Sequence, residues 1–238
     1  MIDSQSWRKF VILSNEFAFP EEKDFPFNFD LIAIGGDLKP ERLLKAYENG
    51  IFPMPDYDDE LNWYSPTHRM VLFPGEIRIS KSMSGIMRSE IFSFSFDREF
   101  EEVINQCATV ERQKQKNGSW INSPIIKSYL ELHHEGYAHS LEVWKEKKLV
   151  GGLYGISLGK MFFGESMFSL ESNSSKAAMI KLHEFVVKND FDLIDCQLYN
   201  PHLKSLGAYT IPRKKFYQLL KKTLKTETIK GSWNEFKL

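Results

Sequence analysis

The segment that decides the fold of this chain reads AHSLEVW (138–144), LVGGLYGI (149–156), MFFGESMF (161–168), SSKAAMIKLHEFVVK (174–188) and FDLIDCQ (191–197). The first three pieces are strand-like runs joined by short turns, which is typical of consecutive hairpins. The fourth piece places Ala177, Leu182 and Phe185 at helical spacing, and the fifth is again an apolar strand. We therefore expect an antiparallel meander of three strands, a helix, and a last strand that returns beside residues 161–168 through a right-handed crossover.

The preceding sequence extends this pattern toward the N-terminus. Residues 92–96 alternate as a strand, residues 98–108 have a helical pattern, and Ser123-Pro124 begins a helix that Gly136 ends. A meander followed by a crossover helix and a further strand is the order of elements in acetyltransferase-like folds. The sequence thus predicts an α/β (α+β) protein with an acetyltransferase-like (GNAT-like) mixed-sheet domain over residues 69–238.

Residues 1–68 predict a small N-terminal α+β domain. An apolar run at 31–34 leads into the turn Gly35-Gly36-Asp37, and a helix follows from Pro40 to a stop at Gly50. Residues 51–59 read as a proline-rich loop, and Ser65-Pro66 ends the next extended piece. This unit is too small to bury a substantial core alone, so we expect it to pack on the larger domain.

Composition excludes several classes of protein. Of the 238 residues, 42% are hydrophobic and 26% charged, which favours a well-packed core over disorder. Two distant cysteines, Cys107 and Cys196, form no CxxC motif, and the six histidines lack metal-binding spacing, so we expect no metal site and a reducing compartment. Residues 1–10 lack an apolar signal core and no apolar run is long enough to span a bilayer, so we expect a cytoplasmic location.

Charge is unevenly distributed along the chain. The net charge is −1, yet residues 1–60 contain 13 acidic and 6 basic side chains, whereas residues 204–230 contain 8 basic side chains and 1 acidic one. Such an asymmetry suits contact with a polyanion at the basic end. A solvated, lysine-rich terminal helix explains the same run equally well.

Polar residues interrupt two of the apolar strands. Because side chains alternate across a strand, Asp195 and Gln197 share one face, and Cys196 points to the other. Glu165 interrupts the strand that we expect to lie beside them, so the two acids can meet at the strand ends, where α/β sheets bind ligands. A solvated strand end, or bonds to nearby backbone groups, explains Asp195 and Gln197 as well. Cys196 suggests a thioester intermediate, but a buried free cysteine is more often a small apolar residue.

Nine segments together resemble one known family, the leucyl/phenylalanyl-tRNA–protein transferases, and they occur in the family's order over nearly the whole chain. They are AIGGDLKPERLLKAYENGIFP (33–53), WYSPTHRMVLFP (63–74), SWI (119–121), AHSLEVW (138–144), LVGGLYGISLG (149–159), FGESMFS (163–169), SKAA (175–178), LIDCQ (193–197) and SLGAYTIPRKKF (205–216).

The resemblance implies an aminoacyltransferase of known chemistry. Enzymes of this type move Leu, Phe or Met from aminoacyl-tRNA to proteins that begin with Arg or Lys, and the products are degraded through the N-end rule. The resemblance also implies a small N-terminal domain, an acetyltransferase-like C-terminal domain, and no metal or organic cofactor.

The resemblance further implies roles for individual residues. Asp195 and Gln197 correspond to the catalytic pair, and Glu165 to the group that binds the amino group of the esterified amino acid. The apolar pocket for that amino acid is expected from Leu153, Met167, Met179, Leu182 and Ile194, and contacts to the tRNA 3′ end from Met54, Trp120 and Tyr129.

One position departs from the family pattern, because Met54 stands where the family usually has a Trp that stacks on the terminal adenine. Methionine has no π-face, so stacking is weakened, and Trp63 and Tyr57 are the nearby aromatic residues that can compensate. For the tRNA backbone we expect contacts from the basic residues Arg78, Lys81, Lys214, Lys215, Lys221 and Lys222.

Two other functions fit parts of the pattern. An acetyl-CoA-dependent acetyltransferase fits the fold order, but its chemistry needs a glycine-rich loop before the crossover helix, and residues 169–175 contain no glycine. A module that binds aminoacyl-tRNA or degradation signals without catalysis is the second alternative.

Overall fold

The computed structural model describes residues 11–13, 18–26, 28–55, 60–109 and 120–236. It is a mixed α/β protein, as the sequence predicts. Its strands form two sheets. The strands are β1 (Val11–Leu13), β2 (Leu31–Gly35), β3 (Phe52–Pro55), β4 (Leu61–Tyr64), β5 (His68–Leu72), β6 (Ser93–Phe96), β7 (Ala138–Lys145), β8 (Lys148–Leu158), β9 (Met161–Ser169), β10 (Leu193–Gln197) and β11 (Tyr209–Pro212). The helices are α1 (Pro40–Glu48), α2 (Lys81–Arg88), α3 (Phe100–Thr109), α4 (Ser123–His134), α5 (Ser174–Lys188), α6 (Pro201–Ser205) and α7 (Arg213–Thr223), and a 3₁₀ turn spans Glu22–Asp24.

The larger sheet has seven strands in the order β11-β5-β10-β9-β8-β7-β6. The expected meander is confirmed, because β7, β8 and β9 pair antiparallel in sequence. The return of β10 beside β9 is also confirmed, and the two strands are parallel. The sequence did not predict β5 and β11, which extend the sheet beyond β10.

Alternating side chains of this sheet supply two apolar layers. Phe163 and Leu193 point into one core with α1, α3, α4 and α7, whereas Phe162 and Ile194 point into the other with α2 and α5. Helix α5 packs against β7, β8, β9 and β10, as expected for the helix that links β9 to β10. Within the described residues, helices therefore pack against both faces of the sheet.

The smaller sheet has the order β1-β2-β4-β3 and lies in the N-terminal part of the chain. The loop predicted over residues 51–59 is wrong for Phe52–Pro55, which form β3 and pair antiparallel with β4; residues 56–59 lie outside the described part. Proline is tolerated there because β3 is an edge strand. Trp63 of this sheet shares one apolar cluster with Val71 of the larger sheet. The division into domains at residue 68 stays a prediction.

Candidate active site

A cavity of about 420 Å³ opens where β9 and β10 separate. The two strands pair only as far as Phe163 and Asp195, although both continue beyond those residues. The volume lies within the range of small-molecule sites. Its wall includes the predicted trio Glu165, Asp195 and Gln197.

A β-bulge places Glu165 at this cavity. Tyr154 of β8 pairs with Ser166 and Gly155 pairs with Gly164, so Glu165 is the extra residue of β9. A side chain at Gly155 would meet the Phe163 carbonyl oxygen at 2.1 Å, so the bulge requires glycine there.

Three donors converge on the Glu165 carboxyl group. The Tyr47 hydroxyl donates to Oε1 at 2.7 Å, the Tyr129 hydroxyl to Oε2 at 3.1 Å, and the Gln197 side-chain amide to Oε1 at 2.7 Å. The two tyrosine hydroxyls also lie within hydrogen-bond distance of each other. Burial raises the pKa of Glu165 from 4.5 to about 7, although the three hydrogen bonds oppose that rise. The carboxyl group therefore titrates near neutral pH before any ligand binds.

Asp195 is fully buried and has an ionic partner that the sequence did not reveal. The Arg69 guanidinium donates from Nε to Oδ1 at 2.8 Å and from Nη2 to Oδ2 at 2.6 Å. The Gln197 backbone N–H also donates to Oδ1 at 2.9 Å. The sequence left two simpler explanations for Asp195, a solvated strand end and bonds to nearby backbone groups. The first does not hold, because Asp195 is not solvated. The second is incomplete, because the main partner of Asp195 is a side chain distant in sequence.

Gln197 occupies a left-handed backbone conformation, with φ of 60°. Such a value is uncommon outside glycine and needs support from neighbouring groups. The Asp195 bond to its N–H supplies that support, and the side-chain N–H group is held by Glu165. Among the described residues the Gln197 side-chain carbonyl oxygen has no hydrogen-bond partner.

All five residues expected to form the apolar pocket lie on the wall of this cavity. They come from four elements, because β8, β9, β10 and α5 meet on this face of the sheet. The five are Leu153, Met167, Met179, Leu182 and Ile194. The cavity thus has an apolar wall and a polar end that carries Glu165 and Gln197.

Comparison with known proteins identifies the family to which this chain belongs. The family described as "Leucyl/phenylalanyl-tRNA protein transferase" matches residues 71–221, and the family described as its N-terminal domain matches residues 36–67. The chain belongs to the leucyl/phenylalanyl-tRNA–protein transferase family. It is therefore an aminoacyltransferase, and the resemblance inferred from its motifs is confirmed.

Individual relatives agree with this assignment. The leucyl/phenylalanyl-tRNA–protein transferase of Syntrophus aciditrophicus is 50% identical over 204 residues, which cover 86% of this chain and 85% of the relative. That of Desulforapulum autotrophicum is 45% identical over 221 residues, which cover 93% of this chain and 96% of the relative.

A solved structure, "The structure of L-PGS from Bacillus licheniformis", is similar at a TM-score of 0.38 and 12% identity, covering 71% of this chain and 54% of that chain.

The residues expected at the tRNA 3′ end have different locations in the transferase. Met54 and Trp120 both line the cavity, so they are available to a ligand. Tyr129 is fully buried beneath Glu165 and does not line the cavity, so its visible role is to hold that carboxyl group. Trp63 is fully buried and donates to the Gly35 carbonyl, which excludes it as a substitute for the family Trp. Tyr57 lies outside the described residues.

The six basic residues expected to contact the tRNA backbone do not form one surface. Helix α7 packs on one face of the large sheet and α2 on the other, since Phe216 and Met83 belong to different apolar clusters. Two of the α7 lysines are engaged on the surface, Lys221 with Glu22 and Lys222 with Asp192. The exposed residues Lys214 and Lys215 on α7 are thus separated by the sheet from Arg78 and Lys81 near α2.

Cys196 departs from its predicted orientation. The pairing of β10 with β5 shifts between Asp195 and Gln197, and Cys196 is the additional residue at this irregularity. It consequently lines the cavity instead of pointing away from it. Burial raises the pKa of the Cys196 thiol, which disfavours the thiolate needed for a thioester intermediate.

Sequence reasoning missed two partners of the site. Tyr47 was not singled out from the sequence, although its hydroxyl on α1 donates to Glu165. Arg69 carried a usable signal, since a charged residue within the apolar strand RMVLF requires a buried partner. The identity of that partner required the fold, because 126 positions separate Arg69 from Asp195.

The described ranges contain neither a candidate metal site nor a candidate membrane span. No three His, Cys, Asp or Glu side chains there are grouped so that they could hold a metal ion. No helix within those ranges is long and apolar enough to cross a membrane.

Proposed function

We propose that this transferase moves Leu, Phe or Met from aminoacyl-tRNA to the N-terminal Arg or Lys of acceptor proteins and so directs them to N-end-rule degradation. The observation that carries the proposal is the Gln197 amide held on Glu165 at the polar end of an apolar cavity. Family membership supports the donor, and the names of the relatives specify leucyl and phenylalanyl groups.

The cavity accommodates the aminoacyl group of the donor. The apolar wall, which includes Met167 and Met179, receives an unbranched or aromatic side chain, and methionine adapts its shape to several such groups. Discrimination by such a wall is modest, about 1–3 kcal/mol per methylene, so several amino acids are accepted. Glu165 in its ionised form binds the α-amino group, and the positive charge of that group favours ionisation of the carboxyl.

The reaction is aminolysis of an activated ester. The acceptor α-amine attacks the ester carbonyl carbon, a C–N bond forms, and the bond to the ribose oxygen breaks. The proton lost by the amine ends on that ribose hydroxyl. The free carbonyl oxygen of Gln197 accepts a hydrogen bond from the attacking amine and orients it.

Asp195 has a different role from the one expected from sequence. The family resemblance makes it one member of the catalytic pair. Its charge is instead neutralised by Arg69, and it binds the Gln197 backbone N–H. Asp195 therefore supports the conformation of Gln197, and Glu165 is the carboxylate at the cavity that keeps no ionic partner among the described residues.

The donor tRNA reaches the cavity through its 3′ end. Trp120 offers a π-face for the terminal adenine and Met54 packs beside it, while basic side chains on α7 and near α2 contact the phosphates. Donor binding is expected to weaken steeply with salt. A flat plot of log K against log salt concentration contradicts the phosphate contacts. The substrates locate the reaction in the cytoplasm.

We also infer that residues 69–238 have an acetyltransferase-like fold and that they do not use the coenzyme of acetyltransferases. The meander, the helix α5 and the parallel strand β10 support the fold. The loop before α5 has no glycine and contains Glu171, which disfavours a pyrophosphate.

A direct assay tests the function. Labelled Phe on tRNA is supplied with a peptide that begins with Arg, and transfer to the peptide is measured. Gln197→Ala is expected to reduce kcat strongly. The matched control is Gln106→Ala, which removes another amide that donates to a glutamate, Glu102, at 2.7 Å but lies outside the cavity. If the folded wild-type protein shows no transfer, the proposed function is overturned. If wild type and Gln197→Ala are equally active, the role of Gln197 is overturned.

A further inference from the structure

Arg69 is a buried charged side chain with several partners close to the cavity. It is 1% exposed and makes the two-point contact with Asp195 at 2.8 and 2.6 Å. Its Nη1 donates to the Gly50 carbonyl at 3.1 Å, and its guanidinium lies between the rings of Phe52 and Phe216 at 4.7 and 4.5 Å. Arg69 does not line the cavity.

These contacts fix Asp195 in one orientation. The planar guanidinium matches both carboxylate oxygens at once, and the aromatic rings prevent it from tilting. With both oxygens held by Arg69, Oδ1 is in position to accept a further hydrogen bond from the backbone N–H of Gln197. That bond supports the left-handed backbone of Gln197, which determines where the side-chain amide points.

We propose that Arg69 is a positioning residue for aminoacyl transfer, which acts through Asp195 on Gln197 and makes no contact with substrate. This inference rests on the proposed function. Arg69 also joins two parts of the chain, since Gly50 and Phe52 lie immediately before Met54 at the cavity wall. One side chain thus sets the orientation of the Gln197 amide and holds the segment that carries Met54.

Arg69→Lys is the informative substitution. It keeps the positive charge beside Asp195 but loses the planar fork, so it cannot hold both oxygens and the Gly50 carbonyl together. The Gln197 amide then loses its fixed orientation, while the apolar wall is unchanged. We expect kcat for transfer of Phe to an Arg-initiated peptide to fall about 100-fold, the effect of a small misplacement of a reacting group. The KM for phenylalanyl-tRNA is expected to stay within about threefold.

Arg213→Lys is the matched control. Arg213 is also buried, donates to two backbone carbonyls, of Pro26 and Phe29, and lies over the Phe25 ring. It has no contact with Asp195 or the cavity, so Arg213→Lys is expected to keep wild-type kcat. An equal loss of kcat in both variants shows a general packing effect and overturns the proposal, as does wild-type kcat in Arg69→Lys.

A double-mutant cycle separates action through Asp195 from independent effects. If Arg69 acts through Asp195, Arg69→Lys combined with Asp195→Asn has a kcat no lower than the worse single variant, within about threefold. Losses that multiply overturn the proposal. If Arg69→Lys melts below the assay temperature, the double variant Arg69→Gln with Asp195→Asn replaces it, because that variant removes both buried charges together. Wild-type kcat in this double variant also overturns the proposal. Absence of transfer by the wild type instead counts against the proposed function.

Discussion

Glu165→Gln tests whether the Glu165 carboxyl group is poised to titrate near neutral pH. The substitution preserves the hydrogen-bond network, since an amide oxygen can accept from Tyr47 and Gln197 in place of Oε1. The amide nitrogen then faces Tyr129, whose hydroxyl can accept from it while donating to Tyr47. The variant therefore removes the ionisable group with little change in packing.

The expected magnitude follows from the pKa of about 7 in the folded protein and 4.5 in the absence of burial. Between these values the unfolded carboxyl has lost its proton while the folded one keeps it, so the folded state binds more protons. The contribution of Glu165 to stability is therefore fully present below pH 4.5 and is lost as pH rises toward and through 7. At about 1.4 kcal/mol per pH unit, the whole window corresponds to about 3 kcal/mol, and most of it falls between pH 5 and pH 8.

Urea unfolding of wild type and Glu165→Gln at pH 5, 6, 7 and 8 measures this effect. We expect the wild type to lose about 2–3 kcal/mol relative to the variant over this range. Histidines such as His139, His183 and His202 titrate in both proteins, so their contributions cancel in the difference. Glu131→Gln, at a half-exposed glutamate on α4, controls for the exchange of Glu for Gln itself. Parallel stability curves for wild type and Glu165→Gln refute the reasoning.

Three further predictions concern the cavity and the C-terminal segment. Trp120→Ala is expected to raise the KM for aminoacyl-tRNA roughly 5- to 150-fold, the equivalent of about 1–3 kcal/mol of base stacking. Met54→Trp is expected to lower this KM. An unchanged KM in both variants contradicts the base contact. Cys196→Ser is expected to keep kcat within about threefold because burial raises the thiol pKa, and a 100-fold loss would revive the thioester intermediate. Trp233→Ala is expected to lower the free energy of unfolding by about 3–5 kcal/mol in urea titrations, because the fully buried ring stacks on His139 at 3.7 Å. A loss below about 1 kcal/mol would show that the C-terminal segment around Trp233 contributes little to the core.

Local patterns predicted the central part of the fold well. The alternation in residues 138–168 and the helical spacing in 174–188 gave β7, β8, β9 and α5 almost at their observed bounds. These signals are reliable because each strand or helix buries one face against its sequence neighbours. The strand β3 was missed because two of its four residues are proline, which the sequence treats as a loop signal.

The pairing of distant strands could not be predicted in the same way. Strand β5 lies between β10 and β11 although about 120 residues separate it from β10 in sequence and nearly 140 from β11. No local period marks such a neighbour, because the choice of partner depends on how both sheets pack in three dimensions. The same limit applies to the basic residues, whose distribution over two faces of the sheet is invisible in a charge count.

The sequence by itself identified the resemblance to this transferase family and predicted that Glu165 can meet Asp195 and Gln197 at the ends of adjacent strands. Alternation and nine ordered motifs were sufficient, since both are local properties. Only the tertiary structure decided what these groups can do. Two irregular pairings turn Glu165 and Cys196 toward the cavity. Arg69 neutralises Asp195, and burial beside Tyr47 and Tyr129 raises the pKa of Glu165. Charge and orientation depend on the groups around a residue, and those groups come from distant parts of the chain.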